Sequence, residues 1–515
     1  MPRSPFPALL LALAAALAPA AAQEASQETR TPPPDDPSRW ARLAAERLSE
    51  LEVCRPAGAE EDMLCGTLEV WEDREARAGR KIGLAVVVVP ARTADPEPDP
   101  FVPIPGGPGQ GITHAAPYVP GFAGHLLDRR DVLLVDLRGT GKSNPLQCNF
   151  GVTPETPQPA YDGFLPTKAV ERCKEELEER ADLTKYTTTI LAADLEEVRR
   201  RLGYGPLNLD GGSYGTRFAQ EFLRRYPESV RAAILHGVVL MDHRMPLNHA
   251  LDAQRSLDLL LLLCEEDPAC SGAFPNLRDE LWTVLERLET EPGRATIENP
   301  LTGKEVTLAV GRGMFGETLR SLLYNVQSSA ELPFVVHRAF HRDFAPFFRA
   351  TLPYRVFVDL EVAIGLYLSV TCAEDTYRFT EREAALHDAG TFLGSLRSDA
   401  QKAACDIWPK GEIPEDFHDW VETDRPVLLT VGELDPVTPP RYARAVAEHM
   451  PNSRLVVVPG GNHGIDSLTN LACFEALAPT FFETGTTESL DTTCVQTMER
   501  PPFVLEESGM SYLKK

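Results

Sequence analysis

Apolar runs and their spacing divide the chain into three zones. Residues 64–71 and 82–89 read as two strands around a charged turn, and 101–104 as a short apolar piece ahead of a glycine-rich loop. Residues 131–136 (DVLLVD) are apolar on both sides, the pattern of a strand buried on both faces. Helical spacing then takes over at 187–202, ended by Gly203. A brief strand at 207–210 runs into glycines, a helix at 214–226 is stopped by Pro227, and 230–235 is again a strand. From about Met241 to Val421 the pattern is mostly helical, with one polar stretch around 296–307. Buried-type strands return at 426–431 and 454–458, with a helix at 440–450 between them and another near 468–481. Strands alternating with helices predict a mostly parallel sheet with helices on both faces. The long helical stretch predicts a second unit covering one end of that sheet.

The N-terminal pattern is different. Residues 38–51 place Trp40, Leu43, Ala44, Leu48 and Leu51 on one helical face. Residues 23–37 are polar, contain Pro32-Pro33-Pro34 and predict a flexible leader. Residues 1–22 combine Arg3, an apolar run at 8–18 and Ala20-Ala21-Ala22, the signature of a cleaved secretory signal peptide. The run is too short to cross a bilayer, which takes about 20 apolar residues. The expected organisation is therefore a signal peptide (1–22), a leader with a helix (23–60), the first part of an α/β core (61–240), a mostly helical cap (241–421), and the second part of the core with a tail (422–515).

Composition narrows the function classes. The chain has 515 residues, 43% hydrophobic and 25% charged, which excludes collagen, wholesale disorder and a multi-span membrane protein. Its net charge of -25 repels phosphate backbones and anionic lipid, so neither a nucleic acid nor, after signal cleavage, a membrane is an expected partner. Ten cysteines, with no CxxC pair, fit disulfides in an exported, secreted or periplasmic chain. Sequence does not fix their connectivity; short loops close at least entropic cost, which makes neighbour pairing the simplest expectation: 54–65, 148–173, 264–270, 372–405 and 473–494.

Gly211-Gly212-Ser213-Tyr214-Gly215 matches G-x-S-x-G. The bare pattern carries little; its setting between an apolar strand and a helix carries much. A sharp strand-to-helix turn holds the serine in strained backbone, with glycine-sized neighbours, and presents its oxygen at the strand end. A serine needs a base, and the base an orienting carboxylate. Asp435, in GELDP after the strand at 426–431, and His463, in GGNHG after the strand at 454–458, stand in the chain order Ser, Asp, His. Glu433 is the second candidate acid. Both loops leave the C-terminal edge of the sheet, where open α/β sheets place their ligands. An oxyanion hole is expected from the N–H groups of Tyr214 and of Gly107, in PGGPG. The segment Gly139 to Ser143 imitates a phosphate-binding loop, but the glycine that pattern requires is Asp136.

In order, the motifs GGPG (106–109), DLRGTGKS (136–143), GGSYGTR (211–217), GELDPVTP (432–439) and GGNHG (460–464) resemble the prolyl aminopeptidase family, and within it the exported tripeptidyl aminopeptidase-like branch. The resemblance runs from about Met63 to Cys494 and is weakest in the insertion. It implies an α/β-hydrolase sheet with an inserted helical cap, with Ser213 as nucleophile, Asp435 as orienting acid, His463 as base, and Gly107 and Tyr214 as oxyanion donors. Two positions depart from it. Pro105 precedes the glycine run where His or Ala is common, and Asp210 stands before the elbow where an apolar residue is common. A buried carboxylate at 210 needs a partner.

The function expected is an exported serine hydrolase that removes short N-terminal units from peptides, without metal or organic cofactor. An aminopeptidase holds a free ammonium with a carboxylate. The resemblance implies that such acids come from the insertion, where Glu374 and then Asp375 are the candidates; the alternative is a solvated acidic pair beside a disulfide. A carboxylesterase would use the same triad, and a non-catalytic binding protein would keep the fold alone. Sequence leaves the oligomeric state open.

Overall fold

The computed structural model describes residues 38–513. The signal peptide and leader expected at 1–37 lie outside the described residues. The first helix, Ser38–Arg47, packs Ala44 against the sheet, and Leu48 just beyond its end joins the same core. The expected helix to residue 51 stops short, because the chain turns into a three-residue edge strand.

Nine strands form one sheet. They are β1 (Glu52–Cys54), β2 (Met63–Trp71), β3 (Lys81–Val89), β4 (Phe101–Ile104), β5 (Val132–Val135), β6 (Leu207–Gly212) and β7 (Val230–His236). A hairpin of β8 (Gly293–Glu298) and β9 (Glu305–Val310) stands apart, and β10 (Val427–Gly432) and β11 (Ser453–Val458) complete the main sheet. The order is β1-β2-β3-β5-β4-β6-β7-β10-β11. β1, β2 and β3 pair antiparallel and β3 meets β5 antiparallel; from β5 onward every pairing is parallel. β4, β5 and β10 are buried along their whole length, as strands covered on both faces must be.

Between β7 and β10 the chain builds helices and the β8–β9 hairpin. The polar stretch expected inside a helical region is this hairpin, with Thr296 and Thr307 paired across it. Much of this stretch gathers around its own apolar core, including Phe315, Phe347 and Phe348. Its later helices, Ile364–Glu374 and Leu396–Ile407, return to the sheet and share the sheet's core through Leu366, Cys372 and Cys405. Five disulfides join Cys54–Cys65, Cys148–Cys173, Cys264–Cys270, Cys372–Cys405 and Cys473–Cys494, the neighbour pairing expected. Among the described residues no helix is long and apolar enough to cross a membrane.

Candidate active site

β6 ends at the sheet's C-terminal rim, and Ser213 follows with φ 55° and ψ -122°, in the left-handed half of backbone space. Such strain costs roughly 1–3 kcal/mol and persists only where the surroundings impose it. Here Ser213 N–H donates to the His236 carbonyl at 2.8 Å, and Thr216 returns N–H and hydroxyl donors to the Ser213 carbonyl. The two motif glycines are steric requirements. A Cβ on Gly211 would lie 2.5 Å from the Gly215 carbonyl oxygen, and one on Gly215 would run into that of Ile104. The helix Tyr214–Arg225 can start against β4 and β6 only because both positions lack side chains.

Asp435 and His463 meet from the loops after β10 and β11. His463 Nδ1 lies 2.6 Å from Asp435 Oδ2. The remaining partners of Asp435 are all donors: Val437 N–H and Thr438 N–H at 2.8 Å, and the Thr438 hydroxyl at 2.7 Å. Complete burial pushes this carboxyl up, but the charge and hydrogen bond of His463 with those two N–H groups hold it below the usual carboxylate range. An ionised Asp435 accepts the Nδ1 proton, so Nε2 of a neutral His463 carries a lone pair. Glu433 turns the other way and accepts from Gly460 N–H at 3.1 Å.

The histidine loop is held on two sides. Tyr324 sets its ring edge-on to His463, centroids 5.3 Å apart, and its carbonyl accepts from Gly464 N–H at 2.7 Å. Arg500 is half-buried, and its Nη1 donates to the Gly460 carbonyl and, at 2.8 Å, to Asn462 Oδ1. Its Nη2 reaches Ser329 at 2.6 Å on the helix Val326–Phe340. Arg500 therefore ties the loop bearing His463 to the helical region above it.

Ser213, His463, Gly107 and Tyr214 line one cavity of about 150 Å³. The loop of Gly107 reaches it because β4 pairs with β6 in a register that sets Ile104 opposite Gly211. Asp136 fixes the far side of that loop: its carboxylate accepts from Ile112 N–H at 2.7 Å, Thr113 N–H at 2.9 Å, the Thr113 hydroxyl at 2.8 Å and Lys142 N–H at 2.9 Å. The apparent phosphate loop thus serves the fold. Asp210 has its partner in His236 Nε2 at 2.9 Å, whose Nδ1 meets Thr430 at 2.6 Å.

Glu374 and Asp375 are not on the cavity wall, which corrects the expectation that they face the acyl site, and they are not solvated either. Asp375 takes two hydrogen bonds from Arg217, at 2.8 and 2.9 Å. Glu374 accepts from Thr188 N–H at 2.7 Å and from its hydroxyl at 2.9 Å. That hydroxyl also meets Tyr214 OH at 2.7 Å. Both acids thus brace the elbow helix from beneath. Burial pushes Glu374 up to about 8, with Arg217 opposing and Asp375 reinforcing the shift.

The carboxylate that does line the cavity is Glu317, on the helix Arg312–Leu322. Sequence reasoning passed over it because an acid and Arg320 three residues apart look like any helical ion pair. Arg320 donates to Glu317 at 2.9 Å and Arg397 at 2.6 Å. Burial would raise Glu317, but these two charges bring it down to about 2. Among the described residues no group of His, Cys, Asp and Glu could hold a metal ion.

Comparison with known proteins gives the same picture of the fold. The α/β hydrolase fold family matches residues 99–261, and a TAP-like protein family matches residues 391–494. Serine protease Hip1 of Mycobacterium tuberculosis is 30% identical over 276 residues, 50% of this chain and 52% of that protein. The chain thus spans about half the length of this relative. The tripeptidyl aminopeptidase of Streptomyces lividans is 25% identical over 473 residues, covering 84% of this chain and 83% of that protein. The proline iminopeptidase of Neisseria gonorrhoeae is 28% identical over 148 residues, 29% of this chain and 35% of that protein. With its sheet order, its strained serine elbow and these matches, the chain has the α/β-hydrolase fold, and its residues 391–494 are similar to a TAP-like protein family.

Proposed function

We propose that the protein is an exported serine peptidase that releases short N-terminal units from peptides through an acyl-enzyme on Ser213. The observation that carries this reading is the 2.6 Å contact of His463 with a buried, ionised Asp435, on the cavity that Ser213 lines. Ser213 Oγ attacks the scissile carbonyl while His463 Nε2 takes its proton. The N–H groups of Gly107 and Tyr214 receive the developing oxyanion. The imidazolium then protonates the leaving amine. Water attacks the ester, its proton passing to His463 and then to Ser213 Oγ as the acid departs. Five disulfides support an oxidising compartment, and the likeness to a serine protease, a tripeptidyl aminopeptidase and a proline iminopeptidase supports peptides as the substrate class.

A fluorophosphonate probe should label the native protein and leave Ser213→Ala unlabelled, with both unfolding at the same temperature. Peptide amides and short-chain p-nitrophenyl esters assayed side by side then test the peptidase assignment. Strong ester turnover with no cleavage across a broad peptide panel would replace it with a carboxylesterase.

A further inference from the structure

The wall of the catalytic cavity carries unbalanced charge. Arg320 and Arg397 share one carboxylate there, that of Glu317. Arg355, the third arginine on the wall, turns its Nε and Nη2 to the Ala160 carbonyl and has Asp359 4.0 Å away. Among the described residues the wall carries no second acid to balance the Arg320–Arg397 pair; Glu374 and Asp375 are engaged by Thr188 and Arg217 behind it. Beside His463, the two other histidines on the wall do not alter the sum. Burial, then the charges of Arg217 and Arg441, hold His243 down to about 3; burial, with Arg397 and Arg320 beside it, holds His249 well below its ordinary value.

A second observation points the same way. Arg397 Nε donates to His249 Nδ1 at 2.9 Å, so the proton of that neutral ring sits on Nε2. His249 is 3% exposed, and its Nε2 finds no acceptor in the protein. A buried N–H donor without a partner beside a surplus guanidinium on one cavity wall is a pair of groups that an anion satisfies together. Phe164, stacked under the Arg397 guanidinium at 4.5 Å, keeps that charge fixed in place.

From this arrangement we infer that Arg397, Arg320 and the Nε2–H of His249 form a subsite for a carboxylate, so that the preferred substrate carries an acidic side chain in the unit that is released. This rests on the proposed peptidase reading only in placing the released unit inside the cavity. An ammonium pressed against the same wall would meet net positive charge.

The test uses full-length protein and matched tripeptide aminomethylcoumarins whose acyl unit contains Glu, Gln or Lys at one position at a time. The leaving group is constant, so charge changes only in the acyl unit. At the best position the Glu substrate should exceed its Gln counterpart in kcat/KM by about tenfold or more, with Lys lowest. Arg397→Gln should bring the Glu-to-Gln ratio to about one and Arg397→Lys should keep part of it. Because the ratio does not depend on the fraction of folded enzyme, a partly unstable variant still reports. Calorimetric binding of the corresponding peptide amides to Ser213→Ala reads the same preference without turnover. A Glu-to-Gln ratio near one in both readouts, or a preference for Lys, overturns the subsite. A binding preference for Glu in a native protein that neither hydrolyses peptides nor takes the fluorophosphonate label keeps the subsite and overturns the peptidase.

Discussion

Glu374→Gln separates a buried, protonated carboxyl from a buried ion pair. Arg217 is flanked by two carboxylates; Asp375 takes two of its close hydrogen bonds and the Met241 carbonyl takes a third. Glu374 stays 3.7 Å from the same guanidinium, fully buried and pushed up to about 8. One positive charge balances one negative one, and the second acid keeps its proton, Oε2 then donating to the Thr188 hydroxyl from which an ionised Glu374 accepts. In the unfolded chain the same carboxyl titrates near about 4.3. Between those two values the folded state holds one proton more than the unfolded state, so stability falls as pH rises. The contribution is complete below the unfolded value and gone above the folded one. Each pH unit in the window is worth about 1.4 kcal/mol, or roughly 4 kcal/mol between pH 5 and pH 8. Gln has no proton to lose. Urea unfolding of both proteins with disulfides intact, at pH 5, 6, 7 and 8, should therefore show the native protein losing ground to the variant by about that slope. Parallel stability curves across the four pH values would refute the assignment and leave Glu374 ionised throughout.

Asp435→Asn should lower kcat by about 10³–10⁴-fold with little change in thermal unfolding, because the amide no longer fixes the His463 tautomer. Arg500→Met should lower kcat and the rate of fluorophosphonate labelling while KM for the coumarin substrates changes little, since it loosens the histidine loop without reaching the cavity wall. Equal labelling rates would remove Arg500 from that role. Gly215→Ala should reduce folded yield sharply, as measured by size exclusion and circular dichroism, because its methyl group meets backbone at Ile104. Replacing Cys372 and Cys405 together by Ala should cost about 2–4 kcal/mol in urea unfolding, from a cross-link spanning 33 residues.

What could be read from the sequence is what the sheet dictates. Strands such as β5 and β10 are apolar on both faces because both faces are covered, and the chain signals that without any tertiary knowledge. The elbow, the acid and the histidine sit directly after such strands, so their convergence followed from the parallel order. The acidic pair was misplaced for a physical reason. The helix Ile364–Glu374 is buried on every side from Gly365 onward, and its mostly apolar sequence, with no charge before Glu374, was the available signal that whatever ends it is buried too. The β8–β9 hairpin was hidden because its polar threonines form a cross-strand pair rather than an apolar stripe. Glu317 and Arg397 are 80 residues apart and meet only through the packing of two helices, which local pattern does not encode.

Arg500 adds an order of events to the architecture. A chain made from its N-terminus completes the serine turn after residue 215, yet the imidazole comes some 250 positions later and its tether later still. Throughout that interval an emerging polypeptide holds a nucleophile without a base. On the proposed mechanism, competence to cut therefore arrives late in synthesis, only once the segment that carries Arg500 has joined the fold.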